Sequence, residues 1–133
     1  ESLFVIQKKA IRVVCKTNWR AHSTPLFHRL RTLKLFDINK LQTGCFMFKA
    51  INNQLPPMFI NYFTINRNIH HYYTRQSKNV HLTPVRATLR KFCIKSVGSS
   101  LWNSLPAALK NYQSIHSFKT AYRNFLIAMD VAA

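Results

Sequence analysis

Leu3, Ile6, Ala10, Val13 and Val14 recur at spacings of three, four, three and one, the repeat that places apolar residues on one helix face. The pattern predicts a helix over 2–16, with Lys8, Lys9, Arg12 and Lys16 on its opposite side. Trp19, Arg20 and His22 then interrupt it in a polar setting. Thr24-Pro25 opens a second helix, with Thr24 as N-cap and Pro25 first in the helix, followed by the stripe Leu26, Phe27, Leu30 and Leu33. Asp37 caps a third helix running to about residue 53, whose buried face would be Ile38, Leu41, Cys45, Phe48 and Ile51. Gly44 inside it costs about 1 kcal/mol relative to Ala and would admit a neighbouring helix closely. Pro56-Pro57 ends the segment, and Pro57 starts a short helix through Phe63.

Helical periodicity disappears over 64–88, a long stretch for a connection inside a compact domain and therefore a functional or disordered loop. Short strands can form at 80–82 and 91–96, where Phe92 and Ile94 alternate with Lys91 and Lys95. Gly98 marks a turn, and Ser99 or Ser100 caps a short turn carrying Leu101, Trp102 and Leu105. Trp102 reads as the anchor of a buried corner. Pro106 starts a further short helix with Ala108 and Leu109 inward. Ser114 caps the last helix, striped by Ile115, Phe118, Tyr122, Phe125 and Met129 with Leu126 beside them. The expected fold is mainly α: a small bundle of four or five helices with a long central loop able to hold short strands. One domain is expected over 1–133, helical over 2–63, irregular over 64–98 and helical over 99–129.

Composition changes this picture through charge. Twenty Lys and Arg face three acids, Glu1, Asp37 and Asp130, for a net charge of +17. So many like charges repel in a compact fold unless a polyanion is at hand. Nucleic acid is the commonest such partner, because each neutralised phosphate releases condensed counterions. Apolar residues make up 47% of the chain, with ten Phe, five Tyr and two Trp, which excludes a disordered basic tail. Two glycines leave nothing for a phosphate-cradling loop. No run approaches the roughly 18 uncharged apolar residues of a membrane span, so no membrane partner is expected. The basic, nearly acid-free opening is like a transit peptide, but the bias persists to residue 123 and belongs to the domain. The start at Glu1 reads as that of a piece excised from a longer protein.

Catalysis has no visible support. Two-metal phosphoryl transfer needs clustered carboxylates, and three scattered acids cannot supply them. Phosphate-loop, dinucleotide and serine-elbow motifs are missing. Cys15, Cys45 and Cys93 are odd in number and widely spaced, so they form no zinc ribbon or knuckle and suit a reducing compartment. Adjacent His70 and His71 lack a Cys or acid at ligand spacing, so neither a metal nor another cofactor is expected. No small-molecule substrate is expected either. The candidate contacts are those of a nucleic-acid binder. Lys8, Lys9, Arg12 and Lys16 would meet phosphates, with Arg20 beside Trp19 as a weaker site of the same kind. Tyr72, Tyr73 and Arg75 would meet splayed nucleotides by stacking and phosphate contact. The competing reading of either tyrosine is a pin holding the loop to the core.

Several stretches in order resemble the C-terminal region of reverse transcriptases of non-LTR (LINE-type) retrotransposons of the jockey and chicken-repeat kind. They are I-Q-K-K-A-I-R-V-V from Ile6, R-A-H-S-T-P-L-F from Arg20 and L-K-L-F-D-I-N-K-L-Q from Leu33. Y-T-R-Q from Tyr73, L-W-N-S-L-P from Leu101 and S-F-K from Ser117 complete the set. The resemblance implies a segment downstream of the polymerase palm of an RNA-directed DNA polymerase. It implies the rest of that polypeptide as a partner, and an intracellular setting, cytoplasm and nucleus, within a ribonucleoprotein. The family's Tyr-x-Asp-Asp motif has no counterpart, since this sequence contains no Asp-Asp pair. No catalytic residue carries over, and the segment is expected to hold template RNA or target DNA rather than act on it. A structural module packing on the polymerase, or a free-standing basic RNA-binding protein, are the alternatives.

Overall fold

The computed structural model describes residues 2–69 and 72–132. Its helices are α1 (Leu3–Val14), α2 (Thr24–Arg29), α3 (Leu35–Ile51), α4 (Thr88–Lys91), α5 (Ile94–Ser104), α6 (Ala107–Lys110) and α7 (Ile115–Ala132). Single 3₁₀ turns lie at Pro57–Phe59 and Asn66–Asn68. No strand forms among the described residues, and the architecture is that of a small helical bundle. The chain separates into two compact units, one of residues 1–41 with 120–133 and one of residues 42–119.

In the first unit, Ile11, Leu26 and Phe27 form a buried cluster, with Phe4 and Cys15 packed against it. The Phe4 ring stacks 6.5 Å from Phe27 and meets Phe36 at 5.2 Å. Gln7 adds a polar clamp. Its Nε2 donates to the Leu33 carbonyl at 2.9 Å and its Oε1 accepts the Leu35 N–H at 2.9 Å. One side chain thus satisfies two backbone groups at the start of α3, where helical partners are missing.

The second unit is built on aromatic rings. Phe48 stacks on Phe118 with centroids 4.7 Å apart, and Trp102 approaches both, at 6.4 and 5.9 Å. Trp102 is buried, as its place between Leu101 and Leu105 predicts. Such offset and tilted pairs add about 0.5–1.5 kcal/mol each beyond the area they bury. A second amide clamp closes this unit: Asn103 Oδ1 accepts the Val80 N–H at 2.9 Å, and its Nδ2 donates to the Val80 carbonyl at 2.8 Å. Val80 is buried, so Asn103 stands in for a neighbouring strand.

The ends of α1, α2 and α3 follow one rule without glycine. Lys16, Arg31 and Asn53 have φ of 51°, 47° and 54° just past α1, α2 and α3. At each, the next N–H reaches back five residues: Thr17 to Arg12, Thr32 to Phe27 and Gln54 to Lys49. This is the Schellman arrangement, in which glycine is the usual left-handed residue. Lys16 and Arg31 accept the strain and place a cation against the helix's negative end.

Several expectations need correcting. The buried side of α1 is Phe4, Ile11 and Cys15, whereas Leu3, Val13 and Val14 are 69%, 76% and 67% exposed and Ile6 and Ala10 lie open as well. Thr24 lies within α2 behind Ser23, which makes no side-chain cap bond. Asp37 sits in the first turn of α3 rather than before it and pairs with Lys40. The buried face of α3 includes Leu41, Gly44, Met47 and Phe48, while Ile38 is exposed. The expected strand at 91–96 is instead the end of α4, a turn at Phe92 and Cys93, and the start of α5, where the Cys93 carbonyl accepts from Ser96 and Val97. At 80–82 only an isolated bridge from Val80 to Ile65 survives, its outer edge taken by Asn103. Gly98 and Ser99 lie inside α5, not at a turn. A Cβ at Gly98 would come within 2.7 Å of the Met47 sulfur, so absence of a side chain, not backbone freedom, places glycine there. Ser114 does cap α7, its Oγ accepting the His116 N–H at 3.2 Å. Ala108 and Met129, expected inward, are exposed.

Two outcomes test these contacts by denaturant unfolding. Asn103→Ala strands both polar groups of buried Val80 and should cost about 2–4 kcal/mol, while a loss below 0.5 would show that the clamp is idle. Lys16→Gly relieves a left-handed side chain and should stabilise the chain by about 1 kcal/mol; destabilisation would mean that the cation's attraction to the helix end outweighs the strain.

Candidate nucleic-acid interface

Three longitudinal faces divide α1. Phe4, Gln7, Ile11 and Cys15 meet the rest of their unit, Leu3, Ile6, Ala10, Val13 and Val14 form the open apolar stripe, and Lys8, Lys9, Arg12 and Lys16 occupy the remaining side. The helical repeat gathers Lys8, Lys9 and Arg12, while Lys16 follows in the left-handed position just past the helix. Lys9 and Lys16 are exposed, whereas Lys8 and Arg12 are half-buried because they border the packed face.

Arg12 does two things. Its Nε donates to the Ala21 carbonyl at 2.8 Å, which fixes the connection between α1 and α2 beside the cationic side. Within that connection the Arg20 N–H donates to Asn18 Oδ1 at 3.0 Å, and the Arg20 guanidinium lies 4.7 Å over the Trp19 ring. Trp19 itself is largely exposed, so the pair presents a flat aromatic–cation surface. The result is a cleft of about 430 Å³ into which Lys8, Arg12 and Arg20 face together with the hydroxyl residues Ser23 and Thr24. A second recess of about 360 Å³ lies between Lys9, Arg12, Thr17 and Trp19, so Arg12 stands between the two.

The electrostatics favour an anion without being uniform. Asp37 is engaged by Lys40 at 3.0 Å. Asp130 holds Lys34 and lies 3.6 Å from His28. Lys34 also lines the first cleft, so its charge there is partly offset, whereas neither acid pairs with Lys8, Arg12 or Arg20. The chemistry available is multidentate hydrogen bonding to phosphate oxygens, from two guanidinium groups, an ammonium and two hydroxyls.

The loop candidates fall in the other unit. Residues 64–67 pair with 77–81 through Asn66 N–H to the Asn79 carbonyl, His81 N–H to Thr64 and Arg67 N–H to Ser77. The segment carried between these arms holds Tyr72, Tyr73 and Arg75. Tyr72 and Arg75 share a shallow cleft of about 430 Å³ with Asn66 and Gln76, and Tyr73 is 80% exposed. Tyr72 is 72% exposed, so neither ring is buried in the core. His70 and His71 lie outside the described residues.

No group of three or more His, Cys, Asp or Glu among the described residues could hold a metal ion. Burial pushes the Cys45 thiol up, opposed only in part by Lys119 and Lys49, so it is no activated nucleophile. Cys15 packs against the apolar cluster of the first unit. Sequence reasoning did not anticipate Ser23, Thr24 and Lys34 as part of the cleft. Thr24 read as a helix-start residue, and nothing local marks Ser23 or Lys34, the latter brought in by the chain's return after α2.

No helix among the described residues is long and apolar enough to cross a membrane. Set against models of protein families, curated proteins and solved structures, the chain matches none.

Proposed function

We propose that this chain is a non-catalytic nucleic-acid-binding segment of an RNA-directed DNA polymerase of the LINE type, which holds template RNA or target DNA within an intracellular ribonucleoprotein. The cleft of Lys8, Arg12 and Arg20 carries the reading. It joins one side of α1 to a loop that Arg12 itself fixes, and neither Asp37 nor Asp130 pairs with its three cations. Lys9 and Lys16 extend the charge along the helix, and Tyr72, Tyr73 and Arg75 add stacking surfaces for unpaired bases. Nothing in the cleft is shaped to read base edges in a groove. Binding therefore depends on backbone phosphates, with strong salt dependence and little sequence preference.

The open stripe of α1 supports a second role for the same piece, that of a module docking on the remainder of the polymerase. An apolar row this exposed suits a contact surface better than an ordinary solvent-facing helix. The two roles use different sides of one helix and do not compete.

Affinity for RNA and DNA, single-stranded and duplex, measured against salt checks the first role. Affinity should fall steeply as salt rises, and Arg20→Gln should weaken binding to all of them while reducing the slope by roughly one. A flat salt dependence, or no binding at low ionic strength, contradicts the proposal. Lys16→Gly, expected to be more stable, should nonetheless bind less tightly. For the second role, sedimentation of the chain should show self-association that Val13→Ser with Val14→Ser reduces; a monomer at high concentration counts against the docking surface.

A further inference from the structure

A recess in the second unit lies apart from the two clefts beside α1 and from the cleft of Tyr72 and Arg75. It is a cleft of about 540 Å³ between Tyr62, the 82–85 segment and the start of α5. That volume falls in the range of small-ligand sites, about 300–1,000 Å³. Its walls are apolar at Tyr62, Pro84 and Val85, while Arg90 and Lys95 supply positive charge. The Lys95 ammonium lies 5.2 Å over the Tyr62 ring, at the junction of the apolar and cationic parts. The unit that contains the cleft holds ten of the twenty Lys and Arg and none of the three acids. An anion entering it meets no carboxylate from that unit.

From this juxtaposition we infer that the cleft receives one unpaired nucleotide of a single strand, its base between Tyr62 and Pro84–Val85 and its phosphate at Arg90 and Lys95. The inference rests on the nucleic-acid reading and names where that reading would distinguish strand types. A flat base satisfies the apolar walls, stacking on an aromatic face irrespective of its identity. The phosphate answers the two cations, which a neutral apolar ligand would leave unused. A paired base stays stacked in its duplex and cannot enter. Lys95 then exchanges its contact with the Tyr62 ring for one with phosphate, freeing the ring face.

Cys93 lines the same cleft and is exposed, which provides a reporter. Alkylation of Cys93 by a maleimide, followed by peptide mass spectrometry, should slow about tenfold in oligouridylate at ten times its Kd. A duplex of equal length, an abasic strand and tripolyphosphate should leave the rate near that of the free chain. Arg90→Gln with Lys95→Gln should weaken single-strand binding and spare duplex binding. Salt-dependent strand binding that leaves Cys93 unprotected overturns the inference and leaves the phosphate cleft of the first unit standing. Equal protection by the abasic strand, or protection by a fatty acid instead, also overturns it. Absence of all nucleic-acid binding removes both readings together.

Discussion

Three carboxylates cannot hold together a chain with twenty cations, and the whole structure follows from that shortage. Each described acid is already engaged, Asp37 by Lys40 and Asp130 by Lys34. Cohesion must come from neutral groups. The second unit relies on the rings of Phe48, Trp102 and Phe118 and on the amide of Asn103; the first relies on Phe4, Ile11, Leu26 and Phe27 with the amide of Gln7. Amides suit this work because they satisfy a donor and an acceptor at once without adding charge. The cost is that most of the positive charge stays uncompensated and repels itself, which a bound polyanion would relieve.

Function, on this account, is a by-product of how one helix spends its sides. Phe4 and Ile11 take α1 into its unit, and the helical repeat then places Lys8, Lys9 and Arg12 on a neighbouring side. Arg12 links the two demands, since one guanidinium both fastens the following loop and lines the cleft that the loop creates. The third side is apolar and exposed. Lys16 and Arg31 show the same economy, filling left-handed positions where glycine would be more relaxed while keeping a charge at the surface.

Helices were legible where periodicity was strong, and their presence at α1, α3 and α7 follows from apolar spacing alone. Which side of α1 is buried was not legible. Five apolar residues at 3, 6, 10, 13 and 14 outnumber Phe4, Ile11 and Cys15, so counting favours the wrong face; the decision rests on the Phe4 ring meeting Phe27 and Phe36 and on the Gln7 clamp. Gly98 misled for a related reason. Glycine in a polar run looks like a turn, but here it makes room for Met47, some fifty residues earlier in the chain. Gln7 and Asn103 carried no local signal, because their partners lie 23 to 28 residues away. The clustering of Lys8, Lys9 and Arg12 on α1 was visible early because it follows from helical spacing alone.

Thermal unfolding of the chain against sodium chloride, with and without RNA, addresses the dependence on unpaired charge most directly. If self-repulsion among uncancelled cations limits the fold, the midpoint climbs as salt screens them, and at low salt RNA raises it further by binding the native state. A midpoint that drops with added salt would mean that ion pairs sustain the structure, and indifference to RNA would mean that the positive surface has no polyanion to hold.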